Sequence, residues 1–150
     1  MKKMHPLYEA RRRCNPFGMD SGCHIVPYGV TEIPDNAFNG CRELKSVVLP
    51  VTARRIGSHA FNGCSSLTGF VIPDSVTSIG SFAFYNTGLT AIVIPDSVTT
   101  IGRSAFHDCA SRTTASIPSG ATLVKDSDGD GPFPNRPYYE SPTMTVTTRG

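Results

Sequence analysis

Short runs of alternating apolar and polar residues recur along the chain, and each ends in proline. Before Pro73, Leu67, Phe70 and Ile72 fall on one side while Thr68, Gly69 and Val71 lie off it. Leu89, Ile92 and Ile94 repeat the theme before Pro95, as do Leu44, Val47 and Leu49 before Pro50. Such alternation, rich in β-branched residues, predicts a short strand with one buried face. Proline closes each strand because it lacks the amide hydrogen a ladder would use. A turn rich in Asp and Ser follows, then Ile-Gly, then a run carrying Ala-Phe. Ile-Gly reads as an inward anchor and a bend that a side chain would obstruct. The Ala-Phe run is too short for a stable isolated helix. A single helical or 3₁₀ turn held by burial of its Phe is expected there.

These units form one register. Pro27, Pro50, Pro73, Pro95 and Pro118 lie 23, 23, 22 and 23 residues apart. Ile33, Ile56, Ile79, Ile101 and Val124 each follow their proline by six. Ala-Phe recurs at 37–38, 60–61, 83–84 and 105–106, and Cys41, Cys64 and Cys109 each follow their Phe by three, with Thr87 in place of the missing Cys. A repeat of this length is one rung of a solenoid, which cannot bury its apolar face alone and must stack on neighbours. Successive strands then run the same way and pair as a parallel ladder, about 4.8 Å apart. Phe38, Phe61, Phe84 and Phe106 should stack as a spine inside the coil.

The skeleton I-P-x-S-V-x-x-I-G-x-x-A-F-x-x-C, met almost throughout at 72–87 and 94–109, resembles the BspA-type leucine-rich repeat, also called the Treponema pallidum type. The resemblance covers residues 24–124. Near its end Arg112 stands where a repeat Leu belongs, and beyond it Asp128-Gly129 stands at the place expected of Ala-Phe. The expected fold is α/β: a leucine-rich-repeat solenoid with a short parallel β-ladder on the concave face and turns and short helical segments on the convex side. The expected division is an N-terminal tail or cap over 1–23, about four to five rungs over 24–124, and an acidic, proline-rich tail over 125–150. Terminal rungs need covers; residues 7–13 could supply a helical turn, and residues 143–148, which alternate, a last strand.

Charge and cysteine content narrow the function classes. The net charge is +2, which gives no argument for nucleic acid, and the basic cluster Arg11-Arg12-Arg13 reads as a solvated tail. No apolar stretch follows Met1-Lys2-Lys3, so no signal peptide and no membrane insertion are read in this chain. The compartment stays open between the cytoplasm and a surface reached through an export signal outside this chain. Of five cysteines, Cys41, Cys64 and Cys109 sit in the repeat column and read as buried structural thiols. Cys14, Cys23, His5 and His24 lack the close Cys pairs of a structural zinc site.

No catalytic constellation emerges, so no enzyme activity and no cofactor are expected. His59 and His107 are expected in solvent-facing turns. Asp74-Ser75 and Asp96-Ser97 read as turn residues with a hydrogen-bonding role. Asp126, Asp128 and Asp130 resemble the front half of a calcium loop, but Pro132 and Pro134 stiffen the back half and the closing Glu is missing. The stretch reads first as an acidic linker, with a weak calcium site as the alternative. The remaining candidate is a surface. Solenoids present their strand faces to partners, and here that face should hold Lys45, Ser46, Val48, Thr68, Val71, Thr90, Ala91 and Val93. The expectation is a non-enzymatic module binding a protein of unknown identity. The family resemblance implies cell-surface adhesion or host-protein contact; an intracellular assembly module, or a piece of a longer array, is the alternative.

Overall fold

A computed structural model describes residues 22–109, 114–125, 131–133 and 145–149. The proposed N-terminal helical turn, His5, Cys14 and the aspartates at 126, 128 and 130 lie outside these. Among the described residues ten short strands follow one another: β1 (Cys23–Ile25), β2 (Glu32–Ile33), β3 (Ser46–Val48), β4 (Arg55–Ile56), β5 (Ser78–Ile79), β6 (Ala91–Val93), β7 (Thr100–Ile101), β8 (Thr114–Pro118), β9 (Thr122–Leu123) and β10 (Thr145–Arg149). All pairings are parallel. The two-residue strands form one continuous sheet, β2-β4-β5-β7-β9, in which Ile33, Ile56, Ile79, Ile101 and Leu123 stand in line. The longer strands form a second wall in two pieces, β1-β3 and β6-β8-β10. The alternating segment near the C-terminus thus adds a strand beside β8, with Val146 opposite Ala115.

A third wall carries Ala-Phe, and it differs from expectation: no helix occurs among the described residues. Its amides alternate. Ala60 N–H bonds Gly57 O within its own rung, whereas Phe61 N–H bonds Ala83 O of the next, at 3.3 and 2.8 Å. The same alternation holds at Ala37 and Phe38 and at Ala83 and Phe84. Asn36, His59, Phe82 and Ser104, in one column, have φ of 61°, 56°, 56° and 52°. Left-handed residues cannot continue a right-handed helix. The wall is therefore a ladder of turns whose hydrogen bonds run between rungs.

Between the walls lies the spine. Phe38, Phe61, Phe84 and Phe106 are buried, with ring centroids 5.2, 5.3 and 5.2 Å apart and planes within 11°. The stack gains a fifth ring, Phe133, 5.3 Å from Phe106. Phe106 N–H bonds Pro132 O, so Pro132-Phe133, rather than Asp128-Gly129, takes the place of Ala-Phe in the last rung.

Two repeat columns acquire a clear cause. At Gly57, Gly80 and Gly102 an added Cβ would meet the backbone of the preceding rung at 2.6, 2.5 and 2.4 Å. Glycine is needed there for close approach between rungs, and none of the three has positive φ. The hydroxyls of Ser75 and Ser97 donate to Ala53 O and Val76 O of the preceding rung, at 2.6 and 2.7 Å, which gives the Asp-Ser turns the hydrogen-bonding role read from sequence.

The cysteine column divides. Cys64 is buried and its thiol donates to Phe38 O at 3.1 Å. Burial pushes its pKa up to about 12; burial also raises that of Cys109. Thr87 replaces the thiol with a hydroxyl that donates to Phe84 O at 3.0 Å. Cys41, expected as a thiol, is instead disulfide-bonded.

Candidate binding face

The outward positions of the long strands make two parallel rows. One holds Cys23, Ser46, Ala91 and Thr114; the other holds Ile25, Val48, Val93 and Ser116, by strand register. Gly69 and Val71 take the corresponding places in the rung between. The second row is unusually apolar for an exposed surface: Ile25, Val48, Val71 and Val93 are 64%, 53%, 79% and 64% exposed. Their strand neighbours His24, Val47, Phe70, Ile92 and Ala115 point into the core and are buried. Period-two alternation, with one face committed to the spine, leaves the other face these side chains.

Of the eight residues expected on this face, Ser46 is half-buried and the other seven are exposed. Ser46, Val48, Val71, Ala91 and Val93 lie on it. Lys45, Thr68 and Thr90 form a rim where each rung enters it, and Thr90 N–H bonds Thr68 O at 3.2 Å. Sequence reasoning missed Ile25, Tyr28 and Val51. Ile25 precedes Pro27 by two, as Val48, Val71 and Val93 precede their prolines, so the signal was present in a worn copy. Tyr28 and Val51 stand after proline, where later rungs have Asp74 and Asp96. Both are strongly exposed, at 82% and 73%, and they extend the apolar surface around the corner of the first two rungs.

The face has an irregularity at its centre. Residues 69–72 join neither piece of the wall. Phe70 occupies the inward column where neighbouring rungs have Val47 and Ile92. Its ring packs edge-on between Phe61 and Phe84, at 5.0 and 4.9 Å. The larger ring, next to Gly69 with its weak strand preference, interrupts the ladder and leaves Val71 the most exposed of its row. A shallow groove results, lined by Val71, Ala91, Val93, Pro95, Asp96 and Arg149. Arg149 closes its end by reaching across β8: its guanidinium donates to Ser116 Oγ at 2.6 Å, to Ile94 O, and to Asp96 at 3.1 Å.

The other walls offer less. His59 is half-buried and stacks on Phe82 at 4.9 Å, and His107 is half-buried as well, so neither is the solvent-facing residue expected. Arg55 bridges Glu32 and, at 3.2 Å, Asp35 of the preceding rung; such exposed pairs contribute little. Among the described residues no group of three His, Cys, Asp or Glu is placed to hold a metal, and no helix is long and apolar enough to cross a membrane.

The BspA-type leucine-rich repeat region matches residues 31–127 in six copies. The chain belongs to the BspA-type leucine-rich repeat family. Repeats of this family are protein-interaction modules, typically without enzymatic activity. Among solved structures, the Treponema pallidum leucine-rich repeat protein TpLRR is 31% identical, with a TM-score of 0.61; the match covers 69% of this chain and 51% of that one. Leucine-rich repeat proteins from Eubacterium ventriosum and Bacteroides ovatus share the fold. Each is 24% identical, with TM-scores of 0.69 and 0.62, covering 85% and 79% of this chain and 32% and 36% of those. The chain thus spans about half the length of the first relative and about a third of the other two. No curated protein matches the sequence.

Proposed function

We propose that the protein is a non-enzymatic binding module that engages another protein through its strand face, in cell-surface adhesion or contact with a host protein. The observation that carries this reading is the exposed row Ile25, Val48, Val71 and Val93. Stacking of the coil requires the inward residues of each strand and does not require β-branched apolar side chains on the outward ones. Contiguous exposed apolar surface on a folded chain marks an interaction site. The surface is shallow, and small molecules favour enclosed pockets, so a macromolecular partner suits it better. The adhesive role draws on the family resemblance.

The test is capture of a protein from host-cell surface extract by the intact chain and by two matched variants. Val71→Glu with Val93→Glu places two carboxylates in adjacent rungs of the strand face. Arg54→Glu with Thr77→Glu places two in adjacent rungs of the two-residue-strand wall, where both residues are exposed. Loss of the captured protein with the first pair and retention with the second is expected. The reverse pattern would place binding on another wall.

A further inference from the structure

The two rows of the strand face differ in size in a way that suits a specific partner. Val48, Val71 and Val93 form a ridge. Ser46, Gly69 and Ala91 form a trough beside it, two residues away along the strands, or roughly 6.7 Å. Both rows repeat at the rung spacing. We propose that a second copy of this chain docks face to face here, the ridge of each copy set into the trough of the other. The inference rests on the reading of the strand face as a binding surface and adds a second copy of the chain as an occupant that competes for it.

The geometry follows from symmetry. A two-fold axis lying along the ladder between the rows exchanges their positions while keeping rung opposite rung. Val71 then faces the mate's Gly69, and Val93 the mate's Ala91, for every rung at once because the repeat is identical in both copies. A heterologous protein would need to reproduce that repeat; a second copy has it by construction. Charge agrees. The two rows contain no ionisable side chain of their own from Ser46 to Ser116, and the guanidinium of Arg149, which reaches Ser116 at one end, is paired with Asp96. Lys45 lies on the rim where rungs enter the face, whereas Asp74 lies on the opposite rim, where they leave it, and is exposed. The same axis brings the Lys45 rim against the mate's outgoing rim, with Lys45 opposite Val51 and one rung, about 4.8 Å, away from the mate's Asp74. Area sets the strength. The exposed apolar side chains of the face and its corner offer on the order of 500 Å². That is above half of the ~800 Å² each partner contributes to a standard interface, so the dimer should be weak, with a dissociation constant of about 10–100 μM.

Sedimentation velocity of the intact chain from about 1 μM to 1 mM tests this, with circular dichroism to confirm that each variant is folded. Wild type should pass from monomer to dimer over that range, and the Arg54→Glu, Thr77→Glu variant should do the same. Val71→Glu with Val93→Glu should remain monomeric. Ala91→Phe separates fit from stickiness: it adds apolar surface but fills the trough, so it should weaken the dimer at least tenfold. A wild-type chain monomeric at 1 mM, a dimer indifferent to Val71→Glu with Val93→Glu, or a dimer strengthened by Ala91→Phe would each overturn the proposal. A monomeric chain whose strand-face variant still loses a captured host protein would overturn this inference alone and leave the proposed function standing.

Discussion

Single residues in this protein are set by what lies one rung away. Gly80 and Gly69 show the contrast. A methyl group at Gly80 would press on Ser58 N at 2.5 Å, which is backbone and cannot yield, whereas one at Gly69 meets nothing within 4 Å. Gly80→Ala is expected to destabilise the fold by about 3 kcal/mol or more, and Gly69→Ala to be neutral or stabilising by about 0.5 kcal/mol; urea unfolding of the two variants measures both. The glycine column was legible in sequence, but its reason was not: the sequence suggested a bend, and the constraint is the approach of the preceding rung. His24 is a second case. It sits in the inward column of Val47 and Ile92, packs 5.2 Å from Phe38, and burial lowers its pKa from 6.5. Since the folded value lies below the unfolded one, the unfolded chain takes up the extra proton as pH falls. Stability should therefore be level above about pH 7, decline as pH drops through 6.5, and level again below the folded value. His24→Val, which restores the residue type of its column, should flatten that decline in thermal melts at pH 5 and pH 7.5. An unchanged pH profile would show that another group dominates.

At the scale of elements, period-two alternation announced the long strands, and the proline register fixed their parallel pairing. The continuous two-residue sheet was harder to see. A pair such as Arg55-Ile56 is too short to show a period, and only the recurrence of its Ile marks it. The helical turn failed for a reason that a single repeat does not display. Amides at alternate positions are taken by the next rung, and left-handed residues at Asn36, His59, Phe82 and Ser104 turn them outward. The break at residues 69–72 was hidden too, because Phe70 reads as one more apolar residue until its ring must fit between Phe61 and Phe84. The last rung is likewise a deviation from the repeat. Phe133 stacks on Phe106, and the carbonyls of Gly131 and Pro132 accept from Ser104 and Phe106. Phe133→Ala should speed hydrogen exchange at the Ser104 and Phe106 amides while leaving those of Phe38 and Phe61 slow. Phe84→Ala, in the middle of the spine, should cost about 3–5 kcal/mol and speed exchange throughout. Equal effects from the two would mean that the rungs do not stack as a nearest-neighbour array.

On the scale of the whole molecule, a spine of phenylalanines and three ladders hold the coil together, and the outward row of one wall is left over. Those outward residues were placed from sequence because alternation fixes the face on which each side chain falls. Their extension to Ile25, Tyr28 and Val51 went unseen because the first copy departs from the repeat that made the others recognisable. The account stands on the claim that binding belongs to this wall. The most direct measurement is the affinity of a captured partner for the two double variants, by calorimetry. Val71→Glu with Val93→Glu should weaken binding at least 100-fold, since two carboxylates would be desolvated in the contact without partners, while Arg54→Glu with Thr77→Glu should change it less than about threefold. Equal affinities for the two pairs, or the larger loss from Arg54→Glu with Thr77→Glu, would contradict it.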